Sequence, residues 1–212
     1  MSQEEAVKSV FDTHALLYQE KYMDVKAYSE ALSLFAENLP SPNPKIIDLA
    51  CGPANLSFFF KKLVPKAQIH GCDFAPGMIK LAKTNVPDGN FEIADAFQFL
   101  EKHSKVDGII AGFLIPYFSP TKTKSFLSVV KSSLDENGVL YLSAMEGAIE
   151  KSGTETPSSD KGKAIQTYYY PKEFLRLLLE EAGFSILYEK VQPFEKEPER
   201  KITDLIFVAQ NK

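Results

Sequence analysis

The sequence predicts an α/β sandwich built on a mostly parallel sheet, and three observations predict it. Past residue 45, apolar runs of strand length alternate with stretches of helical periodicity. Single helical stretches separate the first of these runs, which is the layout of βαβ units with helices on both faces of a parallel sheet. The run 46–57, IIDLACGPANLS, closes an apolar strand on an acid and turns through small residues into a helical pattern.

The elements follow in order. Residues 3–38 read as one or two helices: Ala6, Val10 and Phe11, then Leu16, Leu17 and Tyr18, then Val25, Tyr28, Ala31, Leu32 and Phe35 recur near helical spacing. SPNP at 41–44 stops the helix and links it to the rest. Strands are expected at 45–50, 68–73, 91–94, 106–113 and 139–144, with helices near 56–63, 77–83, 96–103 and 121–134. Residues 147–167 are polar and rich in Ser, Thr, Gly and Lys, and read as a long loop or substrate lid dispensable to the fold. Pro171 suits a first helical turn. Phe174, Leu175, Leu178 and Leu179 form that helix's apolar stripe, and Gly183 ends it. Two last strands are expected near 185–191 and 204–209, joined by a charged tip at 195–201. The chain divides into a helical cap and linker, 1–44, and a main unit, 45–212, within one domain.

Composition bounds the function. The 212 residues suit one sizeable domain, and 44% hydrophobic with 25% charged residues is ordinary for a soluble globular chain. A net charge of −4 offers no global attraction to a polyanion, so no nucleic acid is expected as partner. The two cysteines, Cys51 and Cys72, fit no zinc or redox spacing and read as small buried thiols, so no metal site is expected. The acidic, amphipathic start has no apolar signal core, and no run is long enough to span a bilayer. A cytoplasmic protein without a membrane partner is the default expectation.

The strand–turn–helix at 46–57 is the layout of a nucleotide-binding loop. Asp48 selects among nucleotides. A carboxylate at the mouth of the turn repels a pyrophosphate and attracts a ligand bearing ammonium and sulfonium charges. S-adenosylmethionine (SAM) is such a ligand. Asp73 ends the next strand 21 residues after Gly52, where an acid can accept both ribose hydroxyls.

In these motifs and their order, residues 45–212 resemble the class I SAM-dependent methyltransferases. IIDLACGPAN is similar to that family's first motif, an acid followed by alternating small residues. Ala50 and Ala54 stand where the family usually has glycine, and Gly52 keeps the central position. IHGCDFAPGMIKLAK at 69–83 and EIADAFQF at 92–99 resemble its second and third motifs. The resemblance implies a late antiparallel strand in a seven-stranded sheet and an N-terminal cap over the cofactor. It implies SAM contacts from Asp48, Ala50, Cys51, Gly52, Asp73, Phe74, Met78, Asp95, Ala96, Gly112 and Phe113. Asp95 would meet the adenine amino group, a role compatible with capping its helix. GIIAGFLIPYFS at 108–119 stands where that family's methyl group is faced. Leu114 and Ile115 replace the polar residue and first proline of relatives that methylate nucleobase or glutamine amide nitrogens, which argues against that subgroup.

Methyl transfer from a sulfonium needs chiefly proximity and alignment. A base is needed only where the acceptor must lose a proton. Candidates that could reach the site are His14, Tyr117, Glu146 and Tyr168. Tyr18, Tyr22 and Tyr117 are candidates to line the acceptor site, and the triple Tyr168–Tyr170 either walls it or packs at a helix entry. The function expected is methyl transfer from SAM to a small molecule. The rivals are a nicotinamide-dependent oxidoreductase, disfavoured by Asp48 and the missing third glycine, and a SAM-binding regulator without catalysis.

Overall fold

A computed structural model describes residues 2–156, 164–194 and 202–212. Seven strands form one sheet: β1 (Lys45–Leu49), β2 (Gln68–Asp73), β3 (Asn90–Ile93), β4 (Val106–Gly112), β5 (Leu134–Glu146), β8 (Phe184–Pro193) and β9 (Thr203–Asn211). Their spatial order is β3-β2-β1-β4-β5-β9-β8. β3, β2, β1, β4 and β5 pair in parallel, and β9 enters antiparallel to both β5 and β8. The late antiparallel strand and the mostly parallel sheet are therefore present as expected.

Helices cover both faces. α3 (Ser29–Glu37), α4 (Asn55–Leu63) and α5 (Pro76–Asn85) pack on one, and α6 (Ala96–Lys102), α7 (Pro120–Ser133) and α8 (Lys172–Glu181) on the other. Strand periodicity of two explains the split. Ile47 and Leu49 of β1 face α6, α7 and α8, while Ile46 faces α3, α4 and α5. Phe35 of α3 meets Phe60 of α4 edge to face at 5.4 Å inside the second layer.

The helices begin where local chemistry lets them. Ser119 caps α7 by accepting from the Lys122 amide, with Pro120 at the first helical position. Pro171 precedes α8 as its N-cap with extended ψ, rather than lying inside its first turn. Gly183 ends that helix at φ +86°.

Three sequence expectations are corrected. Residues 3–38 form three helices, not one or two: α1 (Gln3–Thr13), α2 (Ala15–Tyr22) and α3, with a 3₁₀ turn at Lys26–Tyr28. The expected cap also divides. α3 and Val25 belong to the main core, whereas α1 and α2 lie in two small clusters with Phe74, Tyr117, Ile165, Ala75 and Met78. The third correction concerns 147–167. It carries a 3₁₀ turn, Ile149–Lys151, and an antiparallel ribbon, β6 (Gly153–Glu155) with β7 (Ile165–Thr167). Ile165 is buried against Ala6, Val7 and Val10, and the Gln3 side chain bonds both the amide and the carbonyl of Gln166, at 3.0 and 2.9 Å. Strand β7 thus gains order by borrowing apolar surface from α1, which composition alone does not show, while 157–163 lie outside the described residues. The charged tip expected at 195–201 lies outside the described residues.

Candidate functional site

The sheet order reverses direction between β1 and β4, and an α/β fold holds its ligands beyond the strand ends at that switch point. The register brings the pieces level there: Leu49 lies beside Cys72 on one side and Ala111 on the other.

The turn after β1 is built from three left-handed residues at alternate positions: Ala50 at φ +49°, Gly52 at +54° and Ala54 at +60°. This explains why glycine is the usual choice at the outer two sites. Left-handed backbone costs an L-residue about 1–2 kcal/mol, and alanine is the smallest side chain that bears it. Cys51 is buried within the turn, and its amide bonds the Cys72 carbonyl at 2.9 Å. Burial, first of all, pushes both thiols up.

Asp48 lies beneath the turn rather than at its mouth, which corrects that expectation. It is 1% exposed and accepts from the Ser57 hydroxyl of α4 at 2.5 Å. Burial pushes its carboxyl up to about 7, with Asp73 adding to the rise and the Ser57 bond opposing it.

Asp73, at the end of β2, joins two loops. Its Oδ2 accepts from the Gly52 amide at 3.0 Å and its Oδ1 from the Ala75 amide at 2.8 Å. Burial raises it to about 6 against those amides. Met78 and Ala75 are buried beside it, with Phe74 half-buried. Asp95 caps α6, accepting from the Phe97 and Gln98 amides at 2.9 and 3.2 Å, with Ala96 buried behind it. Gly112 closes β4 where a Cβ would run into Leu56. Phe113 follows at φ +52°, a costly backbone for an aromatic residue, held by its amide on the Ser143 carbonyl and hydroxyl, both at 3.1 Å.

α2 lies across this turn. Gly52 is 3.7 Å, measured from an ideal Cβ, from the Tyr18 ring. Tyr18 packs on Tyr22 at 4.5 Å and Phe11 at 5.7 Å; Phe11 meets Tyr117 at 5.6 Å, and Tyr22 stacks on Phe194 at 6.0 Å. Polar ties hold the helices down. The Gly77 amide donates to Asp12 at 2.6 Å, and the Asn85 side-chain amide donates to Gln19 and to the Pro53 carbonyl, both at 2.7 Å. Asn55 donates to the Tyr22 carbonyl at 3.0 Å.

The remaining candidates divide. Tyr117 ends a 3₁₀ turn, Ile115–Tyr117, within the aromatic row. His14 is the junction between α1 and α2, its amide on the Val10 carbonyl. Glu146 ends β5 beside Thr203 and bridges to Tyr170. Tyr168 packs against the α6–α8 core, its amide on the Pro116 carbonyl at 2.7 Å. The triple does not form one wall. Tyr170 is fully buried with its hydroxyl on the Phe118 carbonyl and Thr123, while the Tyr169 hydroxyl donates to Glu155 at 2.7 Å. A core tyrosine must pair its hydroxyl, and Thr123 supplies the partner.

Sequence reasoning missed Phe11, Asp12, Ser57, Asn85 and the pair Tyr28–Asp204. Apart from Ser57–Asp48 and Phe11–Tyr18, nine and seven residues apart, their contacts span tens of residues, so no local pattern marks them. A surface basin of about 460 Å³, lined by Lys61, Lys66, His70, Asp88 and Asn90, lies at the opposite end of β2 and β3 and shares nothing with this site. Among the described residues no helix is long and apolar enough to cross a membrane.

Comparison with known proteins adds a family resemblance. Residues 46–138 match the family described as methyltransferase domain. A carboxy-S-adenosyl-L-methionine synthase of Campylobacter fetus is 28% identical over 144 residues, 66% of this chain and 59% of its own. A trans-aconitate 2-methyltransferase of Enterobacter sp. is 34% identical over 107 residues, 50% of this chain and 41% of its own. The chain thus spans about half the length of the curated relatives it matches. A magnesium protoporphyrin IX methyltransferase of Synechocystis PCC 6803, solved with bound SAH, superposes with TM-score 0.74 at 16% identity, covering 100% of both chains. A 1,6-didemethyltoxoflavin-N1-methyltransferase of Burkholderia thailandensis does so with TM-score 0.73 at 16% identity, over 100% of this chain and 91% of its own. Residues 46–138 therefore resemble the methyltransferase-domain family, within a chain that shares its fold with these solved methyltransferases.

Proposed function

We propose that the chain is an enzyme that moves a methyl group from SAM to a small-molecule acceptor in the cytoplasm. The observation that carries this is the turn of three left-handed residues over buried Asp48, tied to Asp73 and closed by Tyr18. The residues suit the cofactor. Gly52 lets a ligand approach backbone closely, and Asp73 is an acceptor for ribose hydroxyls. Ala50 and Cys51 shape the turn beside it. Phe74 and Met78 offer apolar surface to a purine, with Asp95 and Ala96 at its polar edge. Gly112 and Phe113 stand at the reacting end.

When bound, SAM supplies a methyl already activated by a sulfonium, and its leaving group departs neutral. The chain's part is then alignment and water exclusion. Asp48 braces the turn through Ser57, Asp73 is free to accept from the ribose, and the α1–α2 lid with Tyr18 and Tyr22 shuts the site. Tyr117 borders the acceptor side.

Calorimetry with SAM and with its demethylated product S-adenosylhomocysteine (SAH), in chelator, tests the cofactor. Both are expected to bind and NADH is not. Labelled SAM incubated with a metabolite extract then identifies the acceptor. Tight NADH binding without SAM binding would reverse the assignment.

A further inference from the structure

The same end of the sheet holds an ionisable pair that the cofactor site does not use. Tyr28 ends the 3₁₀ turn between α2 and α3, and its hydroxyl donates to Asp204 Oδ2 at 2.7 Å across 176 residues. Asp204 is 2% exposed and pairs with Met145 near the close of β5, at the end of the sheet that carries the β1 turn. The Tyr28 ring, partly exposed, meets Phe113 edge to face at 5.8 Å. Beneath them the Tyr141 hydroxyl is fully buried beside Ser143.

That arrangement is expensive as mere packing. A buried carboxylate with one hydroxyl partner keeps most of its desolvation cost. Burial pushes Asp204 up to about 6, against the Tyr28 bond, and raises the Tyr28 phenol far above its ordinary value. Among the described residues the titratable groups acting on the pair are the phenols of Tyr141 and Tyr18 and the pair itself; Gln192, opposite Asp204 on β8, is neutral. No cation among these described groups would hold an acceptor carboxylate. The neighbouring surface is aromatic, from Tyr18, Phe113 and Tyr28.

We propose that Tyr28 receives the proton of a phenolic or enolic hydroxyl acceptor, with Asp204 as the positioning residue that acts through it. The proposal rests on the methyl-transfer reading. The acceptor O–H bond breaks as its proton passes to the Tyr28 oxygen, and the Tyr28 proton passes to Asp204. The acceptor oxygen forms a bond to the methyl carbon while the carbon–sulfur bond breaks, its electron pair staying on sulfur. Asp204 then returns the proton to Tyr28, which releases one to water as product leaves. Tyr28 takes one proton as it gives up another, so its own phenol is never left ionised.

The test uses the full chain saturated with SAH and para-cresol as probe, titrated by calorimetry from pH 5 to pH 7. In the wild type, cresol affinity is expected to rise about tenfold as the carboxylate ionises. Asp204→Asn keeps an acceptor for Tyr28 and should flatten that profile; Tyr28→Phe should flatten it too. A purely structural pair would instead shift the melting temperature of both variants and leave the pH profile of cresol binding untouched, which overturns the proposal. Absence of cresol binding to the SAH-saturated wild type also overturns it, whether or not either variant folds. Failure to bind SAH at all strikes the methyl-transfer reading itself, and this proposal falls with it.

Discussion

The Tyr18 ring rests against Gly52, 3.7 Å from where a Cβ on that glycine would stand. A methyl there is in ordinary contact, so the space tolerates it. The backbone does not: at φ +54° an alanine bears left-handed strain of about 1–2 kcal/mol.

Gly52→Ala is therefore expected to lower stability by about that amount, measured by urea unfolding. SAM affinity should fall more than the stability does, since the methyl occupies the face that a ligand must approach. A folded variant with wild-type SAM affinity would place the ligand elsewhere.

Asp73→Ala is expected to weaken SAM by ~1.5–3 kcal/mol, the range for a hydrogen bond to a charged group. The structure adds a pH dependence. Burial holds the acid at about 6, and a ligand hydroxyl favours its ionised form. SAM affinity should thus fall as pH drops below about 6, and Asp73→Asn should flatten that decline in calorimetry. An Asn variant that retains the decline assigns it to another group.

Asp48 makes the unliganded protein more stable in mild acid. Its folded carboxyl is raised to about 7 from an ordinary value near 4, so between those values the folded state holds a proton that the unfolded chain has lost. Stability therefore decreases as pH rises through that window and levels off above it. Asp73 and Asp204 pull in the same direction up to about 6. Asp48→Asn keeps an acceptor for Ser57 and should raise stability at pH 8 by on the order of a few kcal/mol, with a flatter slope in chemical denaturation from pH 5 to 8. A steeper slope contradicts the sign.

Two truncations should behave differently. Removing residues 1–24 deletes α1 and α2, whose small clusters lie outside the main core. A folded protein that binds SAM weakly and transfers no methyl is expected. Removing residues 1–38 also strips Leu32 and Phe35, both fully buried, and loss of such side chains costs about 2–5 kcal/mol each. That truncation should not fold. Circular dichroism separates the two, and equal melting behaviour would show that α3 is not part of the core.

The β6–β7 ribbon is tied to the same lid. Ile165→Ala should leave the sheet's melting transition nearly intact, because Ile165 packs on α1 and not on the main core. It should increase protease cutting within residues 1–24. Unchanged cutting, with the variant folded, would show that α1 does not need the ribbon.

Much of this protein is written locally. The alternation of apolar runs with helical stretches specified the order of strands and helices, because strand and helix periodicities differ over a few residues. The strand end before Gly52 and the acid 21 positions later placed Asp73 against the turn, where the structure finds it bonded to the Gly52 amide. Local patterns also misled where order was borrowed: residues 147–167 are mostly polar in sequence, yet Ile165 finds a partner in α1.

Only the tertiary structure decided what each acid does. Asp48 looks from the sequence like a charge at the mouth of a turn, but Ser57 and the packed α4 bury it beneath, and desolvation raises its pKa. Tyr28 and Asp204 carry no mark in the sequence, since the 176 residues between them are brought to nothing by the sheet order alone. Local sequence sets backbone conformation and periodicity. Burial, and with it the charge state of a carboxylate, depends on which distant segments exclude water from it.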